Sequence, residues 1–336
     1  MRVRELLRAK IPTRASPEGG GDQTKDRKIQ VPMTDKKIKV LVLAGPTGSG
    51  KSDLAVRLAE RIDGEIVNAD SMQVYRGMDV GTAKPPAEAL ARVPHHLLDI
   101  VTPDQNFTAS DFRCEAAAAI VDIDRRGKKA IVVGGTGLYI RALLQGLVDS
   151  PTGDPELRMQ FADISGEELL RRLFLVDPET AARLHVNDRV RIIRALEVFS
   201  QTGRPISAFR SEHGFSETYY DALKIAIKVD RQELYRRIEI RVEQMLQQGL
   251  VEEVRSILAS GYTSECKSMR SIGYKEISAY LSGEIALDQA VELIKRDTRR
   301  YAKRQMTWFT KENDIYWLEY PERFDSMLEH VIEFFG

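Results

Sequence analysis

The sequence predicts an α/β protein: a mostly parallel sheet flanked by helices, with a helical insertion. Three observations carry this expectation. Nearly continuous apolar runs of strand length, "IKVLVLA" at 38–44 and "KKAIVVGG" at 128–135, read as strands buried on both faces. Helical periods alternate with these runs at the short spacing of parallel crossovers. Between residues 146 and 213 the strand signal stops, and helical segments broken by Gly, Pro and Asp take over.

Taken in order, residues 1–36 come first. "TRASPEGGGDQTKDRK" is polar, glycine-rich and poor in anything that packs, which predicts a disordered leader. It lacks the apolar core of a secretory signal, and Glu5, Glu18, Asp22 and Asp26 count against an organellar presequence. After the first strand, Leu54, Leu58, Ala59 and Ile62 recur at helical spacing over 51–62. "GEIVNAD" is a second strand ending at Asp70. "FTASDFRCEAAAAIVDIDRRG" reads as a helix capped by Thr108 or Ser110 and running to Gly127. "GLVDSPTGDPEL" is a turn-rich link into the insertion, and "ALKIAIKVD", 222–230, returns the chain to the sheet. Helices near 231–248, 250–259 and 287–308 follow, then a last strand in "DIYWLEY" and a closing helix. The expected organisation is a leader at 1–36, an α/β core from 37–145 and 214–336, and an insertion at 146–213.

Composition narrows the function classes. Of 336 residues 43% are apolar and 30% charged, as in an ordinary globular protein. Fifty basic and fifty acidic residues cancel, so any nucleic-acid surface is local rather than global. Cys114 and Cys266 form no CxxC pair, which points to a reducing compartment and away from a cysteine-based zinc site. No stretch approaches a membrane span. A cytoplasmic monomer without membrane association is the expectation.

The strongest motif is "GPTGSGKS", residues 45–52, between the first strand and first helix. Four residues separate Gly45 from Gly50, and Lys51 and Ser52 follow, matching the phosphate-loop spacing in full. Such a loop makes the core P-loop NTPase-like. Gly45, Pro46, Thr47, Gly48, Ser49 and Gly50 supply a backbone cradle, Lys51 a point charge, and Ser52 a hydroxyl for Mg²⁺. This argues for a di- or triphosphate ligand without choosing whether phosphate is transferred, hydrolysed or lost.

Weaker signals sit around it. Ligands of open parallel sheets bind at the strands' carboxyl ends. Asp70 is thus a candidate base or magnesium ligand, with a plain turn aspartate as the alternative. Gly134, Gly135 and Thr136 leave another strand end, where they either touch substrate or form a tight turn. On the helix "KRDTRRYAKRQMTW", Lys295, Arg296, Arg299, Arg300, Lys303 and Arg304 share one face, and Asp297 is the sole acid between 295 and 308. Six like charges on one face call for a polyanion. Arg191 and Arg194 in "RVRIIRALE", and Arg237 and Arg241 at i, i+4 in "DRQELYRRIEIRVEQML", are cations that ordinary solvent faces also produce. His95 and His96 are adjacent and point in different directions, against a metal pair; one is a candidate substrate contact.

From residue 38 to the end the chain resembles the bacterial tRNA dimethylallyltransferase (tRNA isopentenyltransferase) family. The likeness rests on "GPTGSGKS", "NADSMQVYRGMDVGTAKP", "PHHLLDI", "ASDFR", "VVGGTGLY", "NDRVRIIRALEV", "IGYKEI" and "TRRYAKRQMTWF" in that order. Family members usually carry alanine at the place of Gly48 and often threonine at Ser52. The resemblance implies transfer of the dimethylallyl group of dimethylallyl diphosphate to N6 of adenosine 37, next to the tRNA anticodon. It implies Asp70 as the base, and the loop, Lys51, Ser52 and Mg²⁺ on the diphosphate. Arg241, with Arg237 less securely, would neutralise the leaving group. Thr47, Ser71 and Gln73 would border the substrates. The insertion, with Arg191 and Arg194, would grip the anticodon stem-loop. Gly134, Thr136, Lys295, Arg299, Lys303, Arg304 and Gln305 would complete the tRNA surface. No bound nucleotide cofactor is needed. A kinase, an enzyme prenylating free AMP or ADP, and an RNA-binding NTPase are the rival readings.

Overall fold

In a computed structural model the protein is described over residues 37–214, 219–312 and 314–336. The expected leader at 1–36 lies outside the described residues. The chain divides into two compact units, one comprising residues 146–214, the other 37–145 with 219–336.

The larger unit is built on six parallel strands in the order β3-β2-β4-β1-β5-β6. In chain order its first elements are β1 (Ile38–Ala44), α1 (Lys51–Ile62), β2 (Gly64–Asn68), α2 (Ala87–Arg92), β3 (His95–His96), α3 (Ala109–Arg125), β4 (Lys129–Gly134) and α4 (Gly137–Gln145). The apolar run of β1 is explained by its two buried faces. Val40, Val42 and Ala44 pack into the core on one side, Leu41 and Leu43 into that on the other. β2 stops at Asn68, short of the expected Asp70, so the aspartate stands just beyond the ladder. Thr108 caps α3 in a reciprocal capping box with Asp111.

The smaller unit holds α5 (Pro155–Ala162), α6 (Gly166–Val176), α7 (Pro178–Ala181), α8 (Arg189–Thr202) and α9 (Ile206–His213). Phe161, Leu169, Leu173, Ile192 and Leu196 form its core. Four of these five helices start where Asp154, Ser165, Asp177 and Asp188 accept backbone N–H groups of the first turn. Three of the Asp residues that break the helical pattern in the sequence are therefore caps.

The larger unit resumes with β5 (Tyr220–Lys228), α10 (Arg231–Gln247), α11 (Leu250–Ala259), α12 (Tyr274–Leu281), α13 (Leu287–Phe309), β6 (Ile315–Glu319) and α14 (Phe324–Phe335). β1 pairs β4 on one side and β5 on the other, which sets the loop after β1 among the carboxyl ends of the central strands. Among the described residues no helix is long and apolar enough to cross a membrane.

Candidate active site

The loop at 45–50 joins β1 to α1. Gly50 occupies the α1 N-cap at φ 90, a left-handed conformation, and no side chain caps the helix. The first-turn N–H groups therefore face out as anion donors. Lys51 folds back, its Nζ donating to Pro46 O at 3.2 Å. Burial pushes the Lys51 ammonium down to about 8, with Asp70 opposing and Arg241 adding to the shift. The Ser52 side chain stands exposed in the first turn, whereas Ser49 is buried with its hydroxyl unpartnered.

Asp70 does serve its turn, accepting the Met72 N–H at 2.8 Å. It also lines a cavity of about 340 Å³ together with Thr47, Ser71, Arg241, Tyr301 and Arg304. Arg241 has no hydrogen bond or ion pair among the described residues; burial lowers its pKa and the Asp70 charge opposes that. Lys51 and Arg241 thus oppose one carboxylate, leaving the region with surplus positive charge. Met72, Ile238, Val242, Met245, Ile272 and Ile294 give the cavity an apolar stretch of wall.

The neighbouring strand end is fitted closely to Asp70. A Cβ on Gly134 would lie 2.2 Å from Ala69 O, so only glycine allows this approach. Thr136 Oγ1 accepts the Ser71 N–H at 3.3 Å. Tyr301 stands beside them, its phenol pushed up to about 12 by burial and next by the charge of Asp70. Gln305 joins the two glycine turns: its Oε1 accepts from Thr47 N–H at 2.9 Å and its Nε2 donates to Gly135 O at 2.9 Å.

Comparison with known proteins follows the same lines. A family model described as IPP transferase matches residues 73–312. tRNA dimethylallyltransferase 1 of Citrifermentans bemidjiense is 77% identical over 300 residues, covering 89% of this chain and 98% of that protein. The chain belongs to the tRNA dimethylallyltransferase family. tRNA dimethylallyltransferase 2 of Geotalea uraniireducens is 70% identical over 306 residues, covering 90% and 99%. Among solved structures, the tRNA isopentenylpyrophosphate transferase of Bacillus halodurans superposes with a TM-score of 0.67 at 36% identity, covering 89% of this chain and 97% of that one. A eukaryotic dimethylallyltransferase acting on tRNA gives 0.75 at 31% identity, covering 88% and 77%. The fold is accordingly P-loop NTPase-like, and the family is one of prenyltransferases.

Several expectations need correction. The basic face of α13 is neutralised at four of its six cations, two of them from outside its own helix. Lys295 pairs with Glu243 at 3.1 Å and Arg299 with Glu239 at 2.6 Å, both acids on α10. Arg296 and Arg300 share Asp297. Lys303 and Arg304 have no carboxylate partner among the described residues, and both are exposed. Gln305, expected on the tRNA surface, is 5% exposed with its amide committed to the two turns. Arg237 pairs with Glu233 at 2.7 Å and does not line the cavity, so Arg241 is the helix's inward cation. Gln73 donates to Thr82 O and Ala83 O, each at 3.1 Å, and so works within its own loop. Arg194 ties Glu197, itself fully buried, to Ser150, while Arg191 is exposed and pairs with Asp188. His95 rests on Val93 O and His96 on Glu65; neither lines the cavity. Sequence reasoning missed Arg270, in the segment leading into α12, and Tyr274, its first residue, both of which line the cavity. Only the quoted "IGYKEI" hinted at that region.

Proposed function

We propose that this chain transfers the dimethylallyl group of dimethylallyl diphosphate to N6 of adenosine 37 in tRNA, releasing diphosphate. One observation carries the reading. Asp70 is the one carboxylate among the described lining residues of a cavity that has a half-buried unpaired cation, Arg241, and an apolar stretch of wall. That combination suits a reaction in which an anion leaves, a hydrocarbon moves and an amine loses a proton. It does not need a bound nucleotide.

In this reading the uncapped N–H groups of α1, Lys51 and Arg241 stabilise the charge that grows on diphosphate as the allylic C–O bond breaks. The apolar wall holds the dimethylallyl chain. The adenine amine attacks the carbon released from diphosphate, and the Asp70 carboxylate accepts its proton. The adenosine must leave its stack to reach that carbon. Among the described residues no group of three or more His, Cys, Asp or Glu could hold a metal ion. The Ser52 hydroxyl, a hard oxygen donor beside the phosphate cradle, fits Mg²⁺ whose other ligands are diphosphate oxygens and water. Such an ion, when bound, would neutralise part of the leaving-group charge. Arg191 on the insertion is the proposed contact to the anticodon stem-loop, and Lys303 and Arg304 are proposed, by themselves, as contacts to tRNA phosphates. The enzyme is read as a cytoplasmic monomer.

The test is incubation with Mg²⁺, labelled dimethylallyl diphosphate and unmodified tRNA transcript, with an A37-to-G transcript and free AMP as controls. Label is expected in the A37 transcript alone. Label in AMP but not tRNA, or ATP consumption without label transfer, would sink the reading.

A further inference from the structure

The loop that follows Asp70 forms part of the cavity wall through Ser71, Met72, Gly81 and Thr82. Its far end is held by a carboxylate that neither the phosphate cradle nor Asp70 explains. Glu253 on α11 accepts three consecutive backbone N–H groups, from Asp79 at 2.8 Å, Val80 at 2.7 Å and Gly81 at 3.0 Å. Successive N–H groups converging in this way form an anion-binding nest. Here the anion is a side chain of the chain itself. The Tyr274 hydroxyl donates to the same carboxylate at 2.6 Å. Tyr274 is fully buried, lines the cavity, and lies so close to Gly81 that a Cβ there would meet the ring at 2.6 Å. Two residues beyond Gly81, Ala83 is held at φ 50, with Gln73 donating to its carbonyl. A non-glycine residue in that conformation persists only where its surroundings over-determine it.

We infer that Glu253 is a positioning residue for prenyl transfer: with Tyr274 it fixes the 79–82 wall that the acceptor base must pass, without touching diphosphate. The inference rests on the function proposed above. Both carboxylate oxygens face only donors: Asp79 and Val80 on Oε2, Gly81 and Tyr274 on Oε1. A glutamine in either amide orientation would turn an NH₂ group toward N–H or O–H donors.

Full-length Glu253→Gln and Glu253→Asp proteins would be compared with the native one by thermal midpoint, equilibrium binding of dimethylallyl diphosphate, tRNA kinetics and amide exchange. Glu253→Gln is expected to bind the diphosphate as the native protein does and to lose about 100-fold in kcat/KM for tRNA, the scale of a wall misplaced by about 1 Å. Amides 79–81 should exchange faster, and Glu253→Asp, which keeps the charge, should recover much of both. Native tRNA kinetics in Glu253→Gln would overturn the inference. So would equal losses in folding, diphosphate binding and tRNA kinetics in both variants, the pattern of a merely structural residue. If the native protein transfers no label to tRNA, the proposed function fails; unchanged exchange at 79–81 in Glu253→Gln would then separately dismiss the clamp.

Discussion

Replacing Gln305 with methionine tests how the phosphate loop is held. The substitution keeps the side chain's length but removes the donor that serves Gly135 O and the acceptor that serves Thr47 N–H, each at 2.9 Å. Gly135 is buried, so its carbonyl loses a partner out of reach of water, at about 1–3 kcal/mol. Thr47 is half-buried and its N–H rehydrates in part, adding about 0.5–1.5 kcal/mol. A total of about 3 kcal/mol corresponds to a fall of roughly 6–12 °C in melting temperature for a unit of this size. The assay is differential scanning calorimetry of Gln305→Met beside Lys311→Met, an exposed neighbour, followed by KM for dimethylallyl diphosphate. That KM should rise as the loop loosens. A melting temperature and KM matching those of Lys311→Met would refute the claim that this amide joins the two turns.

Three further outcomes are expected. Asp70→Asn should cut kcat by about 10²–10⁴, the range of a lost general base, with tRNA binding preserved in a filter-binding assay; near-native kcat would remove Asp70 from that role. Burial holds Lys51 at about 8 in the ligand-free chain, so the unfolded state binds the extra proton between that value and lysine's ordinary one, and stability from this group rises with pH across that window. In the proposed function diphosphate meets the Lys51 ammonium, so its affinity should instead weaken as pH climbs through about 8, and binding titrations lacking that inflection in the native protein would contradict the assignment. Lys303→Ala with Arg304→Ala should flatten the salt dependence of tRNA binding by about 1 in log–log slope for each phosphate left without its cation, whereas Lys295→Ala, which removes a charge already paired with Glu243, should leave that slope unchanged.

The parts legible in the sequence were those governed by local pattern. The apolar runs of β1 and β4 announce their burial, the loop motif announces its turn, and Thr108 announces the start of α3. What was not legible depends on residues distant in sequence. The charge face of α13 looked unbalanced because its counter-ions Glu239 and Glu243 belong to another helix, and periodicity sees only one helix at a time. Gln305 sits among basic residues yet turns inward, since helical spacing gives a face but not the turns that face meets. α4 was overlooked because it begins in the glycine-rich "GGTG" that reads as a turn, and α12 because Gly273 at its N-cap breaks the pattern just before it. Thr136, by contrast, was open between substrate contact and turn, and its bond to Ser71 N–H shows that it braces the segment after Asp70.

The pairing of β1 has a consequence for how the chain is born. Ile38 sits beside Tyr220, about 180 residues later, and β6 is added only at Ile315–Glu319. At a synthesis rate of roughly 5–20 residues per second, the first strand waits on the order of 10–40 seconds for its second neighbour. The helical unit at 146–214 is made wholly within that wait, and its core draws only on its own helices. A nascent chain would thus carry one finished globule while the half-built sheet keeps an apolar edge open on β1. That interval, rather than the mature fold, is where a chaperone would have most to protect.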